Sequence, residues 1–193
     1  MGRLLLIRHG ESEGNLARVF THTPAVPITE TGRAQVERAA EWVAARYRPS
    51  RIVTSPFVRA RQTADILARR LGLPVTVETD LRERSYGDLA GQPYASARAL
   101  PDFDPATYWL WHPPGGGESL LEVAARAGAA LDRVARSGPD DEVLVVSHGA
   151  VMMALWFHVT GAWRAGRVSR NAGLMVVEHR GGAYLGATAI EED

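Results

Sequence analysis

The chain has 193 residues, one domain's worth at ~100 to 200 residues per domain, and its 46% apolar and 23% charged residues exclude wholesale disorder and fibrous repeats. Twenty-two basic residues balance twenty-two acidic ones, so no global field marks nucleic acid or an anionic membrane as partner. Every basic residue is Arg, and the absence of Lys and Cys removes Schiff-base and P-loop lysines, cysteine nucleophiles, disulfides and thiolate zinc sites.

Arg presents a planar fork that matches phosphate or carboxylate oxygens two at a time, so an Arg-only cation set suits oxyanion recognition. Compositional bias accounts for most of the Arg residues in a chain this rich in Ala and Gly.

The first predicted element is a buried strand, Arg3 to Ile7. Its apolar run is too short for a signal peptide or a membrane span, and Leu6 stands where a myristoylation signal needs Ser or Thr, so the expected location is cytoplasmic. Thr31 to Tyr47 follows as an amphipathic helix with Val36, Ala39, Ala40, Val43 and Tyr47 on one stripe. A strand is expected at Arg51 to Thr54, a helix from Phe57 to Leu71, and a third buried strand at Val75 to Val77. From Gly87 to Gly117 the rhythm breaks: five Pro and the rings of Tyr94, Phe103, Tyr108, Trp109 and Trp111 read as an inserted cap. Ser119 and Glu122 form a capping box that opens a helix burying Leu120, Val123, Ala124, Ala127, Leu131 and Val134. Glu142 to Ser147 is a strand and Gly149 to about Val159 a helix, whose Met152 to Phe157 reads as core, with a homodimer contact as the alternative. A strand from Leu174 to Glu178, the Gly181-Gly182 hairpin turn and a returning antiparallel edge strand, Ala183 to Ala189, complete the series.

This alternation predicts one domain over residues 1–193: an α/β, three-layer α/β/α sandwich around a mainly parallel sheet, with an antiparallel edge and a short cap at about 87–117. Ligands of open α/β sheets bind beyond the carboxyl ends of the strands. There the chain places Arg8-His9-Gly10-Glu11 after the first strand, Ser55-Pro56 with Arg59 after the second, and His148-Gly149 after the long buried one. A lone His or Arg at a strand end is usually structural or solvated; two of each on one edge is harder to dismiss. Arg8 and Arg59 can give forked donors to a phosphoryl group, and a protonated His148 adds a further cation. His9, as neutral imidazole, keeps one lone pair for attack on phosphorus while its other nitrogen donates to a backbone carbonyl, and Gly10 allows close backbone approach. An alcohol leaving group needs a proton donor, for which Glu83 in Leu81-Arg82-Glu83-Arg84 is the candidate.

Leu6-Ile7-Arg8-His9-Gly10-Glu11-Ser12, Ile28-Thr29-Glu30-Thr31-Gly32, the block from Ser55 to Ala64, Glu83, Gly115-Gly116-Gly117-Glu118-Ser119 and Val146-Ser147-His148-Gly149 occur in that order. Together they resemble the histidine phosphatase superfamily, which includes the cofactor-dependent phosphoglycerate mutases, over nearly the whole chain. The resemblance implies the three-layer fold, a phosphohistidine intermediate on His9 without metal or organic cofactor, and a small phosphorylated metabolite as partner. It also makes Asn15 a phosphate contact and Gly149 part of the second-His block. His22, His112, His158 and His179 have no paired metal-ligand spacing and read as core or surface residues.

Mutases of the family resemble the chain further at Phe20-Thr21 and at Glu83-Arg84-x-Tyr86-Gly87, which makes Thr21, Arg84 and Tyr86 candidate substrate contacts. Their Gly-Trp after the Thr is His22-Thr23 here, their Lys after the acid block cannot occur in a Lys-free chain, and their paired Arg in the insertion has no counterpart. Those cations would hold a small, highly charged substrate. The expected activity is therefore a phosphomonoester hydrolase whose leaving group is less anionic than phosphoglycerate. Mutase-type phosphoryl transfer and a silent phospho-ligand-binding domain are the alternatives.

Overall fold

The structure, a computed structural model, describes residues 1–21, 23–138, 140–163 and 169–190; His22 lies outside them. In chain order the elements are β1 (Gly2–Arg8), α1 (Glu13–Leu16), α2 (Glu30–Arg46), β2 (Arg51–Thr54), α3 (Val58–Leu71), β3 (Val75–Val77), α4 (Ala95–Arg98), α5 (Leu120–Ser137), β4 (Glu142–Ser147), α6 (Gly149–Thr160), β5 (Leu174–Arg180) and β6 (Ala183–Ile190).

β1 lies inside a six-stranded sheet of order β3-β2-β4-β1-β5-β6. Because side chains alternate across a strand, its continuous apolar run feeds two cores at once. Leu5 and Ile7 pack with Val36, Ala40 and Val43 of α2 and Ala60, Ala64 and Leu67 of α3. Leu4 and Leu6 face the other way, onto Val123, Ala127 and Leu131 of α5 and Val151 and Leu155 of α6. The result is three layers.

Helix starts are set by side-chain caps. The Thr29 hydroxyl accepts from the Gly32 amide to open α2, and Ser119 and Glu122 make the reciprocal capping box of α5. α6 is a core helix at Met152 and Leu155, both buried, while Met153 reaches the ligand cavity. No helix among the described residues is long and apolar enough to cross a membrane.

One expectation needs correction. Val75–Val77 is apolar but exposed: β3 is the terminal strand of the sheet, paired on one side only, and Val77 retains 48% of its accessible surface. β6 is the expected antiparallel edge strand, and its neighbour β5 also runs antiparallel to β1. The remaining pairs, β1 with β4, β2 with β4 and β2 with β3, are parallel.

Between β3 and α5 the chain forms the cap. The backbone of 91–94 pairs with 18–20 through Phe20 N–H to Gln92 O and Gly91 N–H to Phe20 O, 2.9 and 2.8 Å. Its far end is pinned by Asp88 N–H to Pro114 O, 2.8 Å. The three glycines 115–117 form a turn before α5, with Gly115 and Gly116 at positive φ, where a side chain would be strained.

Candidate active site

The register Arg8↔Ser147 and Thr54↔Val146 holds the carboxyl ends of β1, β4 and β2 level, so residues 8–9, 55 and 148 meet at one edge of the sheet. A cavity of about 550 Å³ opens there under the cap. Arg8, His9, Asn15, Thr21, Arg59, Glu83, Arg84, Tyr86 and Gly149 all line it. His148 stands just behind, its ring 5.2 Å from that of His9 and edge-on to it.

His9 is almost wholly buried. Its Nδ1 lies 2.7 Å from the carbonyl of Gly10, so Nδ1 carries the proton and donates. Nε2 is then the lone-pair nitrogen, and it accepts from Nε of Arg59 at 3.3 Å. Burial, together with the Arg8 and Arg59 charges, holds the imidazole well below its ordinary pKa.

Gly10 serves packing more than ligand approach. A Cβ on it would lie 2.5 Å from the carbonyl oxygen of Gly32 in the first turn of α2, so its bare backbone lets that helix pack beside His9.

Arg59 is 1% exposed and tightly held: Nη1 donates to Thr23 O at 3.1 Å and Nη2 to Thr21 O at 3.0 Å. With Nε directed at His9, two of its five N–H groups have no partner among the described residues. Arg8 gives Nη1 to the carbonyl of Ser169 at 2.6 Å, and its Nε is buried without a partner among the described residues. Burial lowers the pKa of both guanidiniums, yet Arg remains charged at any physiological pH.

Burial, then the charges of Arg59 and Arg8, drives the His148 pKa well below its ordinary value. Its Nε2 lies 2.6 Å from Oγ of Ser55, and Nδ1 is buried with no partner among the described residues.

Glu83 follows the single turn Thr79–Leu81 and is buried. Burial raises its pKa and outweighs the opposing pull of Arg59, of the Arg84 amide at 2.9 Å from Oε1, and of Arg8. Among the described residues it is the only carboxyl lining the cavity.

The remaining candidates touch the cavity in different ways. Asn15 completes a capping box with Ser12 and donates from Nδ2 to the Tyr94 hydroxyl, 3.2 Å. Thr21 gives its carbonyl to Arg59 and its hydroxyl to Val19 O. Arg84 binds the cap, with Nε to Glu118 O at 2.6 Å and Nη2 to Trp111 O at 2.8 Å. Tyr86 is half-buried against Phe20, ring centroids 4.7 Å apart. Gly149 is the first residue of α6, whose opening N–H groups face the same edge.

Two residues absent from the sequence reading support the site. Arg126 of α5 donates to the carbonyls of Asp80, Arg82 and Glu83 at 2.7, 2.9 and 3.3 Å, and pairs with Glu118 at 2.7 Å, so it shapes the loop that carries the acid. Asn171 donates to His9 O at 3.3 Å and to Oδ1 of Asn15 at 2.8 Å. No local pattern marks Arg126. Asn171 becomes visible once β5 is known to be antiparallel, because its start, not its end, then lies at the ligand edge.

The other histidines lie apart. His112 pairs with Glu122 on the surface, His158 with Asp132, both at 2.9 Å, and His179 is buried in β5. Among the described residues, no three His, Asp or Glu converge as metal ligands.

Residues 4–187 match the histidine phosphatase superfamily (branch 1), and the chain belongs to that family. It is 31% identical to the metal-independent phosphoserine phosphatase of Arabidopsis thaliana, over 92% of this chain and 76% of that one. It is 37% identical to the 2,3-bisphosphoglycerate-dependent phosphoglycerate mutase of a Methylobacterium, over 79% and 77% respectively. Its fold is similar to that of mycobacterial glucosyl-3-phosphoglycerate phosphatase in complex with VO3, with a TM-score of 0.85, 30% identity and coverage of 99% and 98% of the two chains.

Proposed function

We propose that this chain hydrolyses a small phosphomonoester through a phosphohistidine on His9, with Glu83 as proton donor. One observation carries the reading: a buried imidazole with its tautomer fixed by Gly10 O holds its lone-pair nitrogen against Arg59, in a cavity also lined by the Glu83 carboxyl, whose pKa is raised.

Nε2 of His9 attacks phosphorus, a P–N bond forms and the ester P–O bond breaks. Glu83, protonated, gives its proton to the departing alkoxide. Its carboxylate then takes a proton from water, the resulting hydroxide attacks phosphorus, and the P–N bond breaks to release phosphate. Glu83 is reprotonated and His9 neutral again. Arg8, Arg59 and a His148 that takes up a proton when the dianion arrives hold the equatorial oxygens through both steps. The relatives include phosphatases, which supports hydrolysis. A mutase-type relative and the presence of Arg84 and Tyr86 at the cavity support the second reading, transfer back to another hydroxyl.

Rapid-quench labelling with a phosphomonoester panel tests this. The expected result is an acid-labile phosphoryl group on His9 and stoichiometric phosphate release. Isomerised phosphoglycerate with little free phosphate selects the mutase, and binding without any His9 adduct selects a silent domain.

A further inference from the structure

In the turn after β1, successive peptide groups are held from elsewhere in the fold. The Gly10 N–H donates to Oγ1 of Thr63 at 3.1 Å, and the Glu11 carbonyl accepts from the Thr29 amide at 2.8 Å. Between them lies the peptide that joins Gly10 to Glu11. Its carbonyl accepts the Nδ1 proton of His9 at 2.7 Å, and its N–H donates to Oε1 of Gln35 on α2 at 2.9 Å. Gly32, one helical turn earlier, makes that reach possible. A Cβ there would lie 2.2 Å from the Glu11 carbonyl oxygen and 2.8 Å from its nitrogen, so α2 rests directly on this peptide.

A peptide group is planar and trans, so its C=O and N–H point in opposite directions. Whatever fixes the N–H of this one therefore aims its carbonyl, and the carbonyl aims the imidazole. The two bonds also reinforce each other, because an N–H engaged with an acceptor polarises the C=O across the amide and makes it a better acceptor.

The effect is greatest during reaction. In the empty site Nε of Arg59, 3.3 Å from Nε2, also favours the proton on Nδ1. Once a phosphoryl group takes that donor over, the Gly10 carbonyl is the contact that keeps the Nε2 lone pair available. As Nε2 bonds to phosphorus the ring becomes positive, and the bond from Nδ1–H to Gly10 O becomes charge-assisted. An acceptor that gains strength at that moment favours the transition state over the bound ground state.

We propose that Gln35 is a positioning residue for the His9 reaction: by holding the Glu11 amide it aims and polarises the Gly10 carbonyl that orients the nucleophile. The proposal rests on the phosphohistidine reading of His9 and adds to it a residue that does not line the cavity.

Gln35→Met keeps the length and helix preference of the side chain and removes the acceptor. Single-turnover rapid quench with 4-nitrophenyl phosphate is expected to show His9 phosphorylation slowed by roughly five- to tenfold, the order of one hydrogen bond acting in the transition state. The inhibition constant of inorganic phosphate should stay within about twofold, because the anion's own donors are untouched. Gln35→Glu restores an oxygen acceptor and should bring the rate back to within about twofold of the wild type. A separate signature is the His9 Nδ1 proton in the proton NMR spectrum, assigned by its absence from His9→Gln. It should move upfield in Gln35→Met, as a weakened hydrogen bond requires, and return in Gln35→Glu. Phosphorylation at the wild-type rate in Gln35→Met overturns the proposal, as does an unmoved Nδ1 proton, a rate that Gln35→Glu fails to restore, or a fall in phosphate affinity as large as the fall in rate. Absence of a His9 adduct in the wild-type protein, with this ester and with the rest of a phosphomonoester panel, instead removes the phosphohistidine reading. The Nδ1 proton alone then decides whether Gln35 sets the imidazole.

Discussion

The Nε of Arg59 donates to Nε2 of His9 across 3.3 Å, so a buried cation rests on the lone pair that would attack phosphorus. An arriving phosphoryl group must take that donor over, and the movement that binds the anion is the one that frees the nucleophile. Arg59 is also one of two cations that hold His9 neutral, the other being Arg8.

Arg59→Met keeps the length of the side chain and removes its charge. Without the cation, the His9 pKa rises from its depressed value, and the acidic limb of the kcat/KM profile moves to higher pH. The loss of two anion donors lowers kcat/KM by roughly 10²- to 10³-fold. A pH–rate profile checks both, and an unmoved acidic limb would show that Arg59 does not set the His9 charge.

Glu83 gives the opposite limb. Its raised pKa means that it carries a proton above the ordinary carboxylate range, so activity should fall as pH rises through that value, while it falls at low pH as His9 protonates. Glu83→Gln should cost roughly 10² to 10⁴ in kcat for alkyl phosphates, and far less for a nitrophenyl ester, whose leaving group departs without a proton. Equal losses on both esters would deny Glu83 the acid role.

Local chemistry made much of this legible in the amino-acid order. The spans of β2 and β4, the Ser119 capping box and the Gly181-Gly182 turn each have a signature within a few residues. Arg8, His9 and His148 were legible for a related reason: they directly follow or end buried strands, and parallel pairing levels those ends. What escaped depends on contacts far apart in sequence. Val75–Val77 has the composition of an interior strand, and only the strand order shows that one side is open. Arg126 reaches the acid loop from more than 40 residues away. The charge of His148 depends on burial and on Arg59, Arg8 and His9 around it, none of which its own segment reveals.

Arg126→Met is expected to destabilise the fold by about 2 kcal/mol, since three carbonyls and Glu118 lose a charged donor in a largely buried setting. Burial pushes the Glu118 pKa up, but its bonds from Arg126 and from the Ser85 amide outweigh this and leave it lowered. A carboxylate with a depressed folded pKa contributes stability above its unfolded pKa and loses it as pH falls through the folded value. The penalty of Arg126→Met should therefore be full near neutrality and shrink below about pH 4. Urea midpoints at several pH values measure it; a penalty independent of pH would assign the loss to packing alone.

His148 supplies the last prediction. Its pKa is held well below the ordinary value, its Nδ1 is buried and unpaired among the described residues, and its ring lies 5.2 Å from that of His9. A dianion bound between Arg8 and Arg59 reverses the local field, raises the His148 pKa and draws a proton onto it. Anion binding should then take up protons and tighten as pH is lowered from neutrality. Sulfate is the suitable probe, because it stays a dianion there and any proton taken up belongs to the protein. Calorimetry in two buffers of different ionisation enthalpy gives the uptake directly. His148→Gln preserves a hydrogen-bonding side chain but cannot charge, so it should lose a large part of the uptake and weaken binding most at the acidic end. If uptake is unchanged in that variant, the proton goes to His9 or Glu83 instead, and His148 serves the anion only as a neutral donor.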